Sequence, residues 1–174
     1  MKKVILFFAI VSLLFHTTVL TGCVRNAKLQ IARDVAQDIM DCFINKDEET
    51  LFSLLSPDAQ EFHLTKEQIQ EAFDFIDGEI ISYDLPTDTG GGGKSIDGRR
   101  VISENMTPWI ENIITNSKKM YRITFNYRLI LESDKNAKGV RDIFISLIDD
   151  ENGKFIERMA IGIELEPEDR TRQT

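Results

Sequence analysis

The segment KMYRITFNYRLILE, residues 119–132, decides the fold. Tyr121, Ile123, Phe125, Tyr127, Leu129 and Leu131 alternate with Arg122, Thr124, Asn126 and Arg128. That period of two is a strand with one buried face and one polar face. Downstream, Ser133–Gly139 is a polar turn. Val140–Ile148 and Phe155–Leu165 are further strands, joined by Asp149–Gly153, where Asn152-Gly153 suits a tight hairpin. Upstream, Arg99–Thr115 has strand character, but Pro108 lacks an N–H and prevents an uninterrupted central strand. Thr87–Gly98 is a Gly-rich turn region. Glu79–Leu85 alternates through Ile81, Tyr83 and Leu85.

Before residue 79 the period changes. Ala27–Ile44 carries Ile31, Val35, Ile39 and Cys42/Phe43 at helical spacing, with Arg33, Asp34, Gln37, Asp38 and Asp41 opposite. Glu48–Leu55 is a second short helix, stopped by Ser56-Pro57. Thr65-Lys66-Glu67-Gln68 fits a capping box, in which Thr hydroxyl and Gln amide satisfy free backbone N–H groups. A third helix follows with Ile69, Ala72, Phe73 and Ile76 on one face, and Asp77-Gly78 ends it. Helices first and antiparallel strands after predict an α+β domain. The aromatic alternation favours three helices packed on a strongly curved sheet around a pocket.

Residues 1–22 read as a leader. Lys2 and Lys3 precede an apolar run from Val4 to Leu20, a secretory signal pattern too short for a typical membrane span. Leu20-Thr21-Gly22-Cys23 looks like a bacterial lipobox, which makes Cys23 the lipidated N-terminus. Two acyl chains anchor stably where one binds marginally. Residues 23–26 form the tether, 27–165 the domain and 166–174 a polar tail.

The 174 residues carry a formal net charge of −8, and loss of Lys2 and Lys3 with the leader makes the balance more acidic. An acidic surface argues against nucleic acid, which needs basic patches. The 2 Cys and 2 His in the chain exclude zinc fingers and disulfide scaffolds. Cys42 sits in a helical pattern beside Phe43 and reads as a buried structural thiol. No cofactor motif is found.

Several segments carry a family resemblance. The first helix, Phe43-Ile44-Asn45-Lys46-Asp47, the Leu51–Leu55 helix and the late strands resemble the nuclear-transport-factor-2-like superfamily. That likeness implies a cystatin-like cone of curved sheet closed by helices, with dimers common. Ile69–Phe75 with Ile76-Asp77-Gly78, Ser82-Tyr83, Gly90–Gly93, Tyr121–Phe125 and Gly139 resemble more closely a family of bacterial surface lipoproteins, domain of unknown function 5104. The resemblance spans residues 27–165 and implies no activity.

Motifs for chemistry are sparse. Gly90-Gly91-Gly92-Gly93-Lys94-Ser95 fails as a phosphate loop, because the first required Gly falls on Asp88 and no helix start follows. Catalytic members of the superfamily place His/Asp pairs or carboxylates inside the cone. Here His63 lacks a partner nearby in sequence, while Asp84 and Glu104 are candidate cavity carboxylates or exposed acids. Tyr83, Trp109 and Tyr127 fall on or near the expected concave face, as pocket lining or as core. Arg122 and Arg128 share the opposite face, where solvation is the default.

The leading functional expectation is a lipid-anchored extracytoplasmic binding domain for a small ligand, a cell-wall fragment or a partner protein. It would meet the membrane through the lipid on Cys23. The alternative is an isomerase- or dehydratase-type enzyme with a carboxylate such as Asp84 as base, whose pKa a closed apolar cavity would raise. Homodimerisation through the outer sheet face is a third option.

Overall fold

The computed structural model describes residues 26–133, 137–149 and 151–170. The leader, Cys23 and the last four residues lie outside the described residues.

Helix α1 covers residues 26–45. Its buried stripe is Ala32, Ala36, Ile39, Met40 and Phe43. Ile31 and Val35, expected in the stripe, flank it at intermediate exposure. Helix α2 (Glu48–Leu54) is capped by Asp47, whose carboxylate accepts from the Thr50 amide at 3.0 Å and the Thr50 hydroxyl at 2.7 Å. Pro57 does more than stop α2, since it opens the single turn α3 (Pro57–Gln60).

Helix α4 (Thr65–Phe75) starts without the expected capping box. Thr65 is already helical, and its hydroxyl donates back to the Ala59 carbonyl at 2.6 Å in a buried site. Gln68 turns outward instead. Its oxygen accepts from the Gly162 amide and its nitrogen donates to the Ile163 carbonyl, both at 2.8 Å, tying α4 to the chain after the last strand.

The seven-stranded sheet runs as an antiparallel meander. Strands β1 (Ile80–Asp84) and β2 (Lys94–Asp97) share its outer lane. The second lane is β3 (Arg100–Met106) and β4 (Trp109–Thr115), both paired with β5 (Met120–Leu131). Thr107-Pro108 interrupts that lane where Pro108 was expected to. The Pro108 carbonyl still accepts from the Phe125 amide at 3.1 Å, while the Thr107 amide turns the other way, to the Gly91 carbonyl at 2.7 Å. The Gly-rich segment is therefore not only a turn: Gly90 and Gly91 bridge to Thr107, and Lys94–Asp97 is a strand. Strands β6 (Gly139–Ile148) and β7 (Phe155–Ile161) complete the sheet, and a short helix α5 (Pro167–Arg170) lies in the expected polar tail.

The core fills one face of the sheet. Ile110, Ile113, Tyr121, Ile123, Phe125, Ile143, Ile145 and Ile161 pack against α1, α2 and α4. Phe43 and Phe73 meet edge to face at 5.4 Å. The buried Tyr121 hydroxyl donates to the Phe75 carbonyl at 3.2 Å and accepts from the Asp77 amide at 3.0 Å, so the end of α4 satisfies it.

The nuclear-transport-factor-2-like, cystatin-like cone does not form. Among the described residues, strand β7 pairs only with β6 and β1 only with β4, so the sheet is open there, with two unpaired edges and no strong curl. The α+β division into N-terminal helices and a later antiparallel sheet stands, but the curved cone around a pocket does not. Alternation reports which face of a strand is buried and carries no information on whether sheet edges meet. Of the aromatics that suggested a lined cavity, Tyr83, Tyr121 and Tyr127 pack with the core, while Trp109 does not.

Candidate functional site

Among the described residues the core cluster lies on one face of the sheet, and the other face is ordered in rows by strand register. Trp109 pairs with Thr124, Thr124 with Phe144 and Phe144 with Ala160, giving a row across four strands. One step along, Arg122 pairs with Ser146 and Ser146 with Arg158. Glu111 on β4 reaches the same row, 3.1 Å from Arg122 Nη2. On the far side of the Trp109 row, the Thr107 hydroxyl donates to Asn126 Oδ1 at 2.9 Å, and Asn126 Nδ2 donates to Asp142 Oδ1.

A cleft of about 390 Å³ opens over the arginine row. Arg122, Thr124, Ser146, Ile148, Phe155 and Arg158 form it, and Lys154 with Gly153 stands at its edge. Its volume is within the usual range for small-molecule sites. Arg158 is fixed on two sides: its guanidinium lies 4.4 Å from the Phe155 ring centroid, and its Nε donates to Ser146 Oγ at 3.0 Å. Arg122 is held by Glu111 through one terminal nitrogen, while its buried Nε has no acceptor among the described residues. Three cations line this cleft on a chain with net charge −8, with Glu111 on Arg122 and with Asp149 and Glu151 in the hairpin that carries Lys154.

The neighbouring acids are structural in their contacts. Asp142 is 4% exposed, and burial raises its carboxyl above the ordinary value, with Asp58 adding to the rise and Asn126 and Arg141 opposing it. Burial also pushes the Asp58 carboxyl up, but the Ser56 hydroxyl and the Arg128 guanidinium outweigh it and leave a net lowering.

Of the residues expected to form a site, Trp109 and Asp84 meet at one hollow, and Tyr83, Tyr127 and Glu104 do not join them there. The Tyr83 hydroxyl accepts from Gln37 Nε2 of α1 at 2.9 Å, and both Tyr83 and Tyr127 pack against the core cluster. Burial raises the Tyr127 phenol. Trp109 lines a separate hollow of about 320 Å³ with Arg33, Asp84, Leu85 and Thr87. Asp84 is exposed at a sheet edge and accepts from Asn112 Nδ2 at 2.6 Å. Glu104 is paired with Lys28 and, at 4.0 Å, with Lys94. Neither carboxylate has the closed apolar surroundings that a raised general base requires. His63 meets Phe62 edge-on, with ring centroids 5.0 Å apart. Among the described residues, no group of three or more His, Cys, Asp or Glu is placed to hold a metal ion.

The cleft residues escaped the sequence reading because Arg122 and Arg158 lie far apart in the chain and meet only through register. The available signal was an arginine on an interior strand of an acidic protein. By alternation alone, the Arg122 side of that strand defaults to solvent.

No curated protein matches this chain. The family profile described as Domain of unknown function (DUF5104) matches residues 38–159, more than half of the chain. The match runs from within α1 to within β7 and includes Glu111, Arg122, Ser146 and Arg158. On that match the chain belongs to the DUF5104 family.

Proposed function

We propose that this protein is a binding domain held at the extracytoplasmic face of a bacterial membrane by lipid on Cys23, and that it binds through the face of its sheet opposite the core cluster. The observation that carries the reading is the cleft over Arg122, Ser146 and Arg158, a hollow of small-molecule size lined by three cations. The charged leader, the apolar run and Leu20-Thr21-Gly22-Cys23 support the anchoring. No helix of the described residues is long and apolar enough to cross a membrane.

Two measurements test the reading. Incubation with bacterial envelope extract, followed by native and denaturing mass spectrometry, is expected to show an added mass lost on denaturation. Only the bare chain in both spectra would count against a small ligand from that extract and shift weight to a protein partner. For the anchor, an alkyne-tagged palmitate fed to expressing bacteria is expected to label the native chain and not Cys23→Ser. Equal labelling of both would remove Cys23 as the lipid site.

A further inference from the structure

We propose that the cleft is an oxyanion site, and that its ligand is a small molecule bearing a carboxylate or phosphate on an apolar body. This deepens the binding reading above and rests on it. Two guanidiniums flank Ser146 across adjacent strands, and Lys154 stands at the cleft edge. Like charges gathered on one face repel, so an arrangement of this kind is stabilised by an anion seated between them. The guanidinium fork matches the oxygens of carboxylate and phosphate, and each N–H to an anionic oxygen is stronger than a neutral hydrogen bond.

The site is also built rather than loose. Phe155 and Ser146 fix the plane of Arg158, so little side-chain freedom remains to be lost on binding. Among the described residues Arg122 is anchored through Nη2 to Glu111 and keeps unused terminal donors, while its Nε is buried and unpaired. Ser146 and Thr124 supply hydroxyls, and Ile148 with Phe155 supplies an apolar wall. That wall is why the ligand is assigned an apolar body and not a bare ion. Glu111 is the built-in competitor: it occupies Arg122 in the absence of ligand and repels an incoming anion.

The test uses the full chain in non-ionic detergent, titrated with phenyl phosphate, benzoate, inorganic phosphate and neutral benzyl alcohol. Calorimetry gives affinity and amide NMR gives location. Both aromatic anions are expected to bind saturably, with shifts centred on residues 122–124, 146–148 and 153–158. Inorganic phosphate should bind more weakly than phenyl phosphate, and benzyl alcohol should produce no saturable change. Arg122→Gln and Arg158→Gln should each weaken binding by about tenfold, and Arg158→Lys should fall between wild type and Arg158→Gln. Glu111→Gln should strengthen binding by roughly threefold or more, a gain that misfolding does not produce. Lys66→Gln, a cation over Phe52 outside the cleft, should change nothing.

Absence of saturable anion binding would overturn the oxyanion assignment, as would affinity unchanged in both arginine variants or weakened in Glu111→Gln. A neutral ligand recovered from envelope extract, with the anions failing, would leave the broader binding reading intact. The ratio of benzoate to phenyl phosphate affinity tells which oxyanion the site prefers.

Discussion

Arg128 grips Asp58 with both terminal nitrogens, at 3.3 Å to Oδ1 and 3.0 Å to Oδ2, joining α3 to β5 across 70 positions of sequence. The same Arg128 Nη1 donates to the Ala137 carbonyl at 3.2 Å, so the guanidinium also fixes the approach to β6. Asp58 remains half-exposed, which limits the value of the pair. A double-mutant cycle with Arg128→Ala and Asp58→Asn is expected to give a coupling of about 0.5–1 kcal/mol by urea denaturation. Arg128→Ala alone should cost more than the coupling, because the Ala137 carbonyl loses its donor. The folded-state carboxyl of Asp58 lies below 3.8, so the contribution is present above that pH and is lost as pH falls through the lowered value. A coupling that persists unchanged in strong acid would show that the contact is not ionic.

Asp142 predicts the opposite pH dependence. Its folded carboxyl holds a proton more tightly than the unfolded one, whose value is 3.8. Its contribution is therefore largest in acid and declines as pH rises from there through the raised folded value. At neutral pH the buried charge is a cost. Asp142→Asn removes that cost and keeps an oxygen for Asn126, so the variant should melt about 2–4 °C above wild type at pH 7. The advantage should vanish in acid. A lower melting temperature at pH 7 would mean that the charge itself is required.

The glycine run separates two adjacent positions. Gly90 has φ +63, and a Cβ there would stand 1.8 Å from the Thr107 carbonyl oxygen. Gly91 has nothing within 4 Å of such an atom. Gly90→Ala is expected to destabilise by about 2 kcal/mol or more, whereas Gly91→Ala should stay within roughly 0.5 kcal/mol of wild type. Denaturant midpoints measure both, and equal effects would show that the Gly90–Thr107 contact is dispensable.

Cys42 should be chemically silent in the folded protein. Burial pushes its thiol up to about 11, with Asp47, Asp38 and Asp41 adding to the shift. Alkylation by iodoacetamide at neutral pH should track global unfolding in a urea series. Rapid labelling without denaturant would contradict the buried placement.

The two halves of the chain differed in legibility for a physical reason. Helix α4 and strand β5 were readable because each buries a single face, and burial of a face imposes a period; β6 and β7 bury residues on both faces and were marked instead by their apolar content and the Asn152-Gly153 turn. The Pro108 break was readable because a missing N–H is a property of one residue. The capping box failed because a nearer buried acceptor, the Ala59 carbonyl, captured the Thr65 hydroxyl. The cone failed because closure is decided at strand edges, which leave no pattern in the side chains. Tyr83 and Tyr127 were drawn into the core by the alternation that marked them. Arg122 and Arg158 became neighbours of Ser146 only through register, and that register includes shifts near Asn126 and Leu147 that no local composition announces.

The order of elements also sets when the protein acquires stability. Ala36 and Ile39 of α1 share one fully buried core with Ile161, at the end of the last strand. Helices α1–α4 leave the ribosome first, and the sheet that covers their apolar stripe follows, with Ile161 at its end. A nascent chain that stops before β7 lacks both Ile161 and the Gly162 amide that Gln68 grips. Vectorial folding from the N-terminus is thereby disfavoured, and consolidation waits for nearly the whole polypeptide. A chain with that property stays threadable until its final hairpin emerges.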